Sequence, residues 1–537
     1  MSTTRLGACA SLLLLCTLVP TLSAAAANPA PTKPAAAKPA AAANPLLAPW
    51  PGPYGGLPPF GAIKPEHFPA ALEASLAERR AEVEKIKSNP EKPTFTNTIE
   101  ALEHAGATFQ RVGSMFGTFS GSLKSDAFAA IERDWAPKLS AAGDEILFDP
   151  VLFARIQAVW DSPDKAKLSG EQQRLLWRTY NNFTRLGAKL GPADKQRLAK
   201  VNEQLASLYT EFGQKVLAEE NSWTVLDSTA DLAGLPESLV AALKAAADEH
   251  KLAGKWAVDN TRSSVDPFLT YSARRDLREK VWKAFKNRGD NGNANDTNTT
   301  IAKILPLRAE KVHLLGYPTY ADWKLANTMA MTPQRARALM ETVWQPTVAR
   351  VKEEVADLQE VARHGDPHLT IEPWDYLYYA EKVRKAKYDV DQNELKPYFE
   401  LEEMIRGAMW MANKLYGLTF TDVTRKVPVF HPDQRAWEVR DGDRLIGVFY
   451  GDYFARPGKG SGAWENPYRQ QGQGVLALVS NNNNFVKGKP GEPILISLDD
   501  AETLFHEFGH ALHDLMSSVT YQGLAGTNTA TDFVEFP

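Results

Sequence analysis

The chain has 537 residues, 44% apolar and 23% charged, and its 61 Lys and Arg against 65 Asp and Glu leave a formal charge of -4. Such proportions exclude a largely disordered or collagen-like chain, and at about 150 residues per domain the length allows several domains and a sizeable core. No basic excess is available to neutralise a phosphate backbone, so nucleic acid is not an expected partner.

In chain order, the first 27 residues stand apart. Arg5 gives a short positive region, Leu6 to Val19 is apolar apart from a few small residues, and Ser23-Ala24-Ala25-Ala26-Ala27 offers small-residue cleavage sites. This pattern reads as a secretory signal peptide over residues 1–27, which predicts export to the periplasm or out of the cell. A retained N-terminal anchor is the alternative, although the apolar run is short for a membrane span. Both cysteines, Cys9 and Cys16, lie in this segment, so the mature chain is expected to use neither disulfides nor thiol chemistry. Residues 28–49 are Ala, Pro and Lys with little else and read as a tether. No later segment has 18 consecutive apolar residues, so no stable span is expected after signal removal.

The body reads as mainly helical. An N-terminal helical domain is expected over residues 50–265 and a catalytic domain over 266–537. Apolar residues recur at three- and four-residue steps in 70–88, 193–221, 272–287, 301–315 and 333–364. Pro65 and Pro192 sit where a helix start has no use for an N–H. The Gly/Asn/Asp/Thr-rich stretch 289–300 reads as a loop. After about Thr419 the texture changes. Short strands are predicted at 427–430, 437–439 and 445–450, with Asp441-Gly442-Asp443 as the hairpin turn between the last two. Gly458–Gly462 is a Gly-rich loop, read either as a cover over bound peptide or as an inert connection. Residues 474–480 read as an exposed edge strand, which either pairs with an extended peptide or is an ordinary sheet edge.

His506-Glu507-Phe508-Gly509-His510 carries the chemistry. On a helix, positions four apart lie about 40° apart in azimuth and roughly 6 Å apart along the axis, so both imidazoles reach one metal ion. Glu507 lies about 100° from His506, close enough to address a water at the metal without ligating it. Leu504, Phe508, Ala511 and Leu515 fall on the opposite side, as a helix with one buried face requires, and Asp499 or Asp500 is read as its N-terminal cap.

A catalytic zinc site needs a third protein ligand. Asp514 and His513 are poorly placed on the same helix, and an extended motif with a histidine six residues after His510 fails because Met516 stands there. Glu535 is the best candidate, carried on a second helix predicted over 531–536. Asp532, on the same face, is read either as a hydrogen-bond acceptor for a ligand imidazole or as a cap. His431-Pro432-Asp433 reads as a turn, with a substrate contact as the alternative, and His364 with His368 as a surface loop in preference to a metal site.

Phe505-His506-Glu507-Phe508-Gly509-His510-Ala511-Leu512-His513, then Ala525-Gly526-Thr527-Asn528-Thr529 and Asp532-Phe533-Val534-Glu535-Phe536-Pro537, resemble the zinc metallopeptidase family that includes thimet oligopeptidase, oligopeptidase A and bacterial peptidyl-dipeptidase (dipeptidyl carboxypeptidase). Leu277-Arg278-Glu279-Lys280, Leu307-Arg308-Ala309-Glu310-Lys311, Phe449-Tyr450-Gly451-Asp452 and Gly462-Ala463-Trp464 extend the resemblance, and residues 57–105 are similar to its peptidyl-dipeptidase branch. The resemblance implies a multi-helical zincin-type fold with a small β-sheet beside the active-site helix. It implies one Zn2+ per chain held by His506, His510 and Glu535, with Glu507 as general base. It further implies a monomer whose deep channel admits short unfolded peptides, from which C-terminal dipeptides are released. Endo-acting oligopeptidase activity and a non-catalytic peptide- or metal-binding role are the alternatives. Members of that family continue past the last of these motifs into a helical region that supplies tyrosine and histidine groups for substrate, so the sequence is expected to be C-terminally incomplete.

Overall fold

The computed structural model describes residues 44–389, 392–488 and 491–536. The segment read as a signal peptide lies outside the described residues, as does the tether up to residue 43. The rest of the tether, residues 44–49, forms a turn that buries Leu46. Among the described residues no helix is long and apolar enough to cross a membrane.

The chain divides into two compact units, one of residues 44–117 with Asp126–Thr210, the other of Thr118–Ser125 with residues 211–536. The boundary read at 265/266 falls inside a helix, Arg262–Tyr271. Leu226, Leu239 and Val258 before that point share one apolar cluster with Phe268, Leu269 and Val281 after it, so a division there would split a core.

The first unit is helical: α1 (Phe68–Lys87), α2 (Ala101–His104), α3 (Ala107–Ser122), α4 (Asp126–Leu147), α5 (Pro150–Asp161), α6 (Gly170–Arg185) and α7 (Pro192–Glu220), with α3 and α7 continuing in sequence into the second unit. Local chemistry sets the starts. Asp149 accepts from the Val151 and Leu152 N–H groups while Pro150 supplies a first position that needs no partner. Phe68, Phe116 and Phe128 meet with ring centroids 5.0–5.7 Å apart, tilted or edge-on, as the aromatic quadrupole favours.

In the second unit, strands β1 (Trp223–Leu226) and β2 (Trp256–Asp259) pair antiparallel beside α8 (Glu237–Glu249), α9 (Arg262–Tyr271) and α10 (Arg275–Lys286). Residues 289–297 form the predicted loop, held because the Asn291, Asn293 and Asn295 amides all donate to Glu219. Then follow α11 (Asn298–Leu314), α12 (Tyr320–Leu325), α13 (Pro333–Gly365), α14 (Tyr376–Tyr388), α15 (Gln392–Leu395) and α16 (Leu401–Tyr416). Arg275 and the fully buried Arg278 of α10 both bond Asp375, which stands just before α14.

A five-stranded sheet closes the unit: β3 (Leu418–Asp422), β4 (Arg435–Asp441), β5 (Arg444–Phe454), β6 (Trp464–Arg469) and β7 (Ala477–Phe485), in the order β3-β4-β5-β7-β6. Only β5 and β7 pair in parallel. The predicted hairpin is β4–β5, with Gly442 at φ +57 in its turn. Two strand expectations are corrected. Residues 427–430 are irregular, Pro428 offering no N–H for a ladder, and the strand lies earlier, at β3. Residues 474–480 are no edge, because β7 runs from Ala477 between β5 and β6 and buries all nine of its residues. Weak alternation there reflects burial on both faces, and the edge beside it is β6.

Helix α17 (Leu498–Leu515) lies against this sheet and α18 (Thr531–Val534) follows. Leu504, Phe508, Ala511 and Leu515, each at most 3% exposed, pack with Trp437, Phe449, Val479 and the Ile405–Ala408–Ala412 face of α16. The Phe449 ring stands edge-on to Phe508 at 5.4 Å and stacks with Trp437 at 5.6 Å. Replacing Phe449 with Ala is expected to lower the unfolding free energy by about 3–5 kcal/mol through lost contact and a residual cavity. Urea denaturation with an unchanged m-value checks this, and a loss below ~1 kcal/mol would mean the sheet–helix layer is not the core of this unit.

Candidate metal centre

The centre is built from α17 outward. Its N-cap is Ser497, not the expected Asp499 or Asp500. The Ser497 hydroxyl accepts from the Asp500 N–H at 3.1 Å while the Asp500 carboxylate accepts from the Ser497 N–H at 3.2 Å. Reciprocal pairing of this kind needs a hydroxyl at the cap and an acid three residues later, and the acid alone was the visible half.

With the apolar stripe of α17 against the sheet, the two histidines take the other side. Their Nε2 atoms stand 3.1 Å apart, His506 partly exposed and His510 nearly buried. Glu535 Oε2 lies 3.4 Å from the His506 Nε2 and 3.6 Å from the His510 Nε2. One donor atom from each residue thus falls within 4.8 Å of the others, the only His/Cys/Asp/Glu group so arranged among the described residues. Burial and the neighbouring His506 hold the His510 imidazole below its usual range, which favours the neutral, ligating form. The donor set fits zinc. Bonds of about 2.0–2.2 Å at tetrahedral angles put ligand atoms roughly 3.3–3.5 Å apart, close to the three separations found here.

Glu507 is 6% exposed. Burial, then the charge of Glu535, pushes its carboxyl up to about 8, while the backbone N–H of Glu465 on β6 opposes the shift. The Glu465 side chain also lies against the Asp514 carboxyl, one turn beyond the motif, a pairing of two acids that is bonded only while one of them carries a proton. Residues 507 and 514 are seven apart and share a helix face, so one edge-strand residue grips α17 at two points.

The remaining expected residues separate clearly. Asp514 is no ligand; its carboxylate accepts from the Thr527 N–H at 3.1 Å and hydroxyl at 3.3 Å. Gly526 passes so close that a Cβ there would meet Asp514 Oδ1 at 1.6 Å. The helix predicted over 531–536 is the single turn of α18, ending at Val534. Asp532 touches neither imidazole and does not cap α18. Its two oxygens accept from the Met329 and Ala330 N–H groups, each at 2.9 Å, because the open turn before α13 presents free amides there. His431 and Asp433 pair within a turn, and His364 and His368 lie at the end of α13, away from any ligand group.

The Gly458–Gly462 loop is pinned. The Gly458 O accepts from Lys124, the Gly460 N–H donates to Gly121, and the Asn484 amide donates to the carbonyls of Gly460 and Gly462. Lys459 is buried, its ammonium on the Asp452, Phe454 and Asn483 carbonyls and 3.1 Å from the Asp452 carboxylate. Burial pushes that ammonium down to about 7. A cover that must open and close is not built from a buried lysine. Sequence reading missed Glu465 and Lys459. The only signal for either was a charged residue beside an apolar or Gly-rich strand end, which is common on surfaces.

Residues 268–537 match the model of peptidase family M3. Dipeptidyl carboxypeptidase of Escherichia coli (strain K12) is 37% identical over 499 residues, which cover 92% of this chain and 73% of that protein. Dipeptidyl carboxypeptidase of Salmonella typhimurium is also 37% identical, over 500 residues and the same shares. Oligopeptidase A of Escherichia coli is 30% identical over 509 residues, again with 92% and 73% covered. A family match that takes in the whole five-stranded sheet and the motif helix, together with identity of this extent, makes the chain a member of peptidase family M3, a metallopeptidase.

Proposed function

We propose that His506, His510 and Glu535 hold one Zn2+, that Glu507 is the general base, and that the chain removes dipeptides from the C-terminus of short unfolded peptides. The observation that carries this reading is the convergence of three donor atoms within 4.8 Å on the face of α17 that the sheet leaves free, with Glu507 beside them. Zinc, when bound, supplies a Lewis acid for the scissile carbonyl and lowers the pKa of a water toward ~7. The two imidazoles contribute neutral nitrogen, and the Glu535 carboxylate offsets one charge of the ion. Glu507 takes a proton from the attacking water and hands it to the departing amine, a task for which a carboxyl raised toward neutrality suits. The Glu465 N–H fixes which way that carboxylate points. Strand β6, at the sheet edge next to Glu507, is where an extended peptide would lie alongside the site.

Dipeptide release is favoured over internal cleavage by the higher identity to the two dipeptidyl carboxypeptidases, 37% against 30% for oligopeptidase A. Export belongs to the same proposal and rests on Arg5, the apolar run after it and the alanines at 24–27.

A peptide blocked at its N-terminus, incubated with the protein and resolved by mass spectrometry, is expected to lose two residues at a time from its C-terminus, and to stop doing so when a chelator is added. Internal cuts would replace the proposal with an oligopeptidase, and no cleavage with a peptide- or metal-binding role. Glu507→Gln is expected to retain zinc in elemental analysis while kcat falls by about 10²–10⁴. His510→Ala is expected to lose the metal. Normal turnover in the Gln variant would remove Glu507 from its role.

A further inference from the structure

Two of the proposed ligands belong to α17; the third, Glu535, directly follows α18 (Thr531–Val534). The chain just before it is well tied. The Gly526 N–H bonds Ser517, Thr527 bonds Asp514, and the Gln522 amide bonds the Gln470 carbonyl. Apart from Glu535 itself, Asp532 is the one side chain among described residues 529–536 whose hydrogen bonds reach another part of the fold.

Those two bonds form a fork. One Asp532 oxygen takes the Met329 N–H and the other the Ala330 N–H, each at 2.9 Å. Two parallel charge-assisted bonds fix orientation as well as distance. The receiving turn is itself fixed. Met331 sits at φ +64, the Thr332 N–H returns to the Ala330 carbonyl at 2.7 Å, and Thr332 caps α13 by accepting from the Arg335 N–H. Asp532 precedes Glu535 by three residues, about one helical turn, so both carboxylates leave the same side of α18.

We infer that Asp532 is the positioning residue of the third ligand: its fork on the Met329 and Ala330 amides sets where α18 stands and thereby holds Glu535 against the two imidazoles. The inference rests on the ligand assignment proposed above. It gives Asp532 no contact with metal or substrate.

Zinc affinity of the metal-free protein, measured by competition with a chromogenic chelator, tests it without reference to turnover. Asp532→Ala is expected to weaken zinc about 10–100-fold, the usual cost of losing a residue that orients a ligand. Asp532→Asn is expected to lose less, since its amide oxygen still accepts one of the two bonds. With Glu535→Ala already in place, adding Asp532→Ala is expected to change the affinity no further, because there is no ligand left to position. A merely structural role would instead give losses that add, and that result overturns the inference, as does full zinc affinity in Asp532→Ala. Thermal midpoints of the metal-free variants are compared alongside; if the Ala variant fails to fold, the Asn variant carries the same comparison. Should Glu535→Ala alone leave zinc affinity unchanged, the ligand assignment itself is wrong and this inference falls with it.

Discussion

Everything at this centre depends on the burial of one stripe of α17. Leu504, Phe508, Ala511 and Leu515 are sealed between the sheet and α16. A helix has no rotational freedom once such a stripe is packed, so His506 and His510 are aimed by contacts on the opposite side of the backbone. The Nε2 separation of 3.1 Å is therefore a consequence of aliphatic and aromatic packing, with no direct tie needed between the rings. The Phe420, Phe449 and Phe508 rings supply much of that packing, and their edge and tilt contacts resist rotation of the helix more than plain area burial would.

Around that stripe, polar groups act as fasteners between neighbouring elements. Glu465 joins β6 to α17 by its backbone at Glu507 and by its side chain at Asp514. Lys459, with Asp452 and three carbonyls, nails the loop before β6 to the ends of β5 and β7. The Lys459 ammonium would cost several kcal/mol if left unpaired in the interior, so its bonds are strongly specified. Together they keep the Glu507 carboxylate and the edge strand in register with one another. What might pass for a flexible Gly-rich cover is a fixed part of the frame.

The third donor is held in another way. The segment from Ser517 to Asn528 folds back along α17, with Gly526 admitted against Asp514 only because it has no Cβ. Past it, the two Asp532 oxygens accept from the Met329 and Ala330 N–H groups on the turn before α13.

The sequence alone determined what is periodic or local. The HExxH spacing, the stripe opposite it, the β4–β5 hairpin and the long helices α1, α7, α10, α11 and α13 were legible because a 3.6- or 2-residue repeat and a turn dipeptide are short-range signals. Glu535 was legible through elimination and family resemblance. The tertiary structure decided the rest. Strand β7 looked like an edge because a strand buried on both faces loses its alternation, and only pairing reveals its neighbours β5 and β6. Asp532, Asp514, Glu465 and Lys459 were ordinary charged residues until their partners, 13 to 203 residues away for the first two, came into contact. A hydrogen bond between distant segments leaves no repeat in either of them, so its existence is a property of the fold and not of the string.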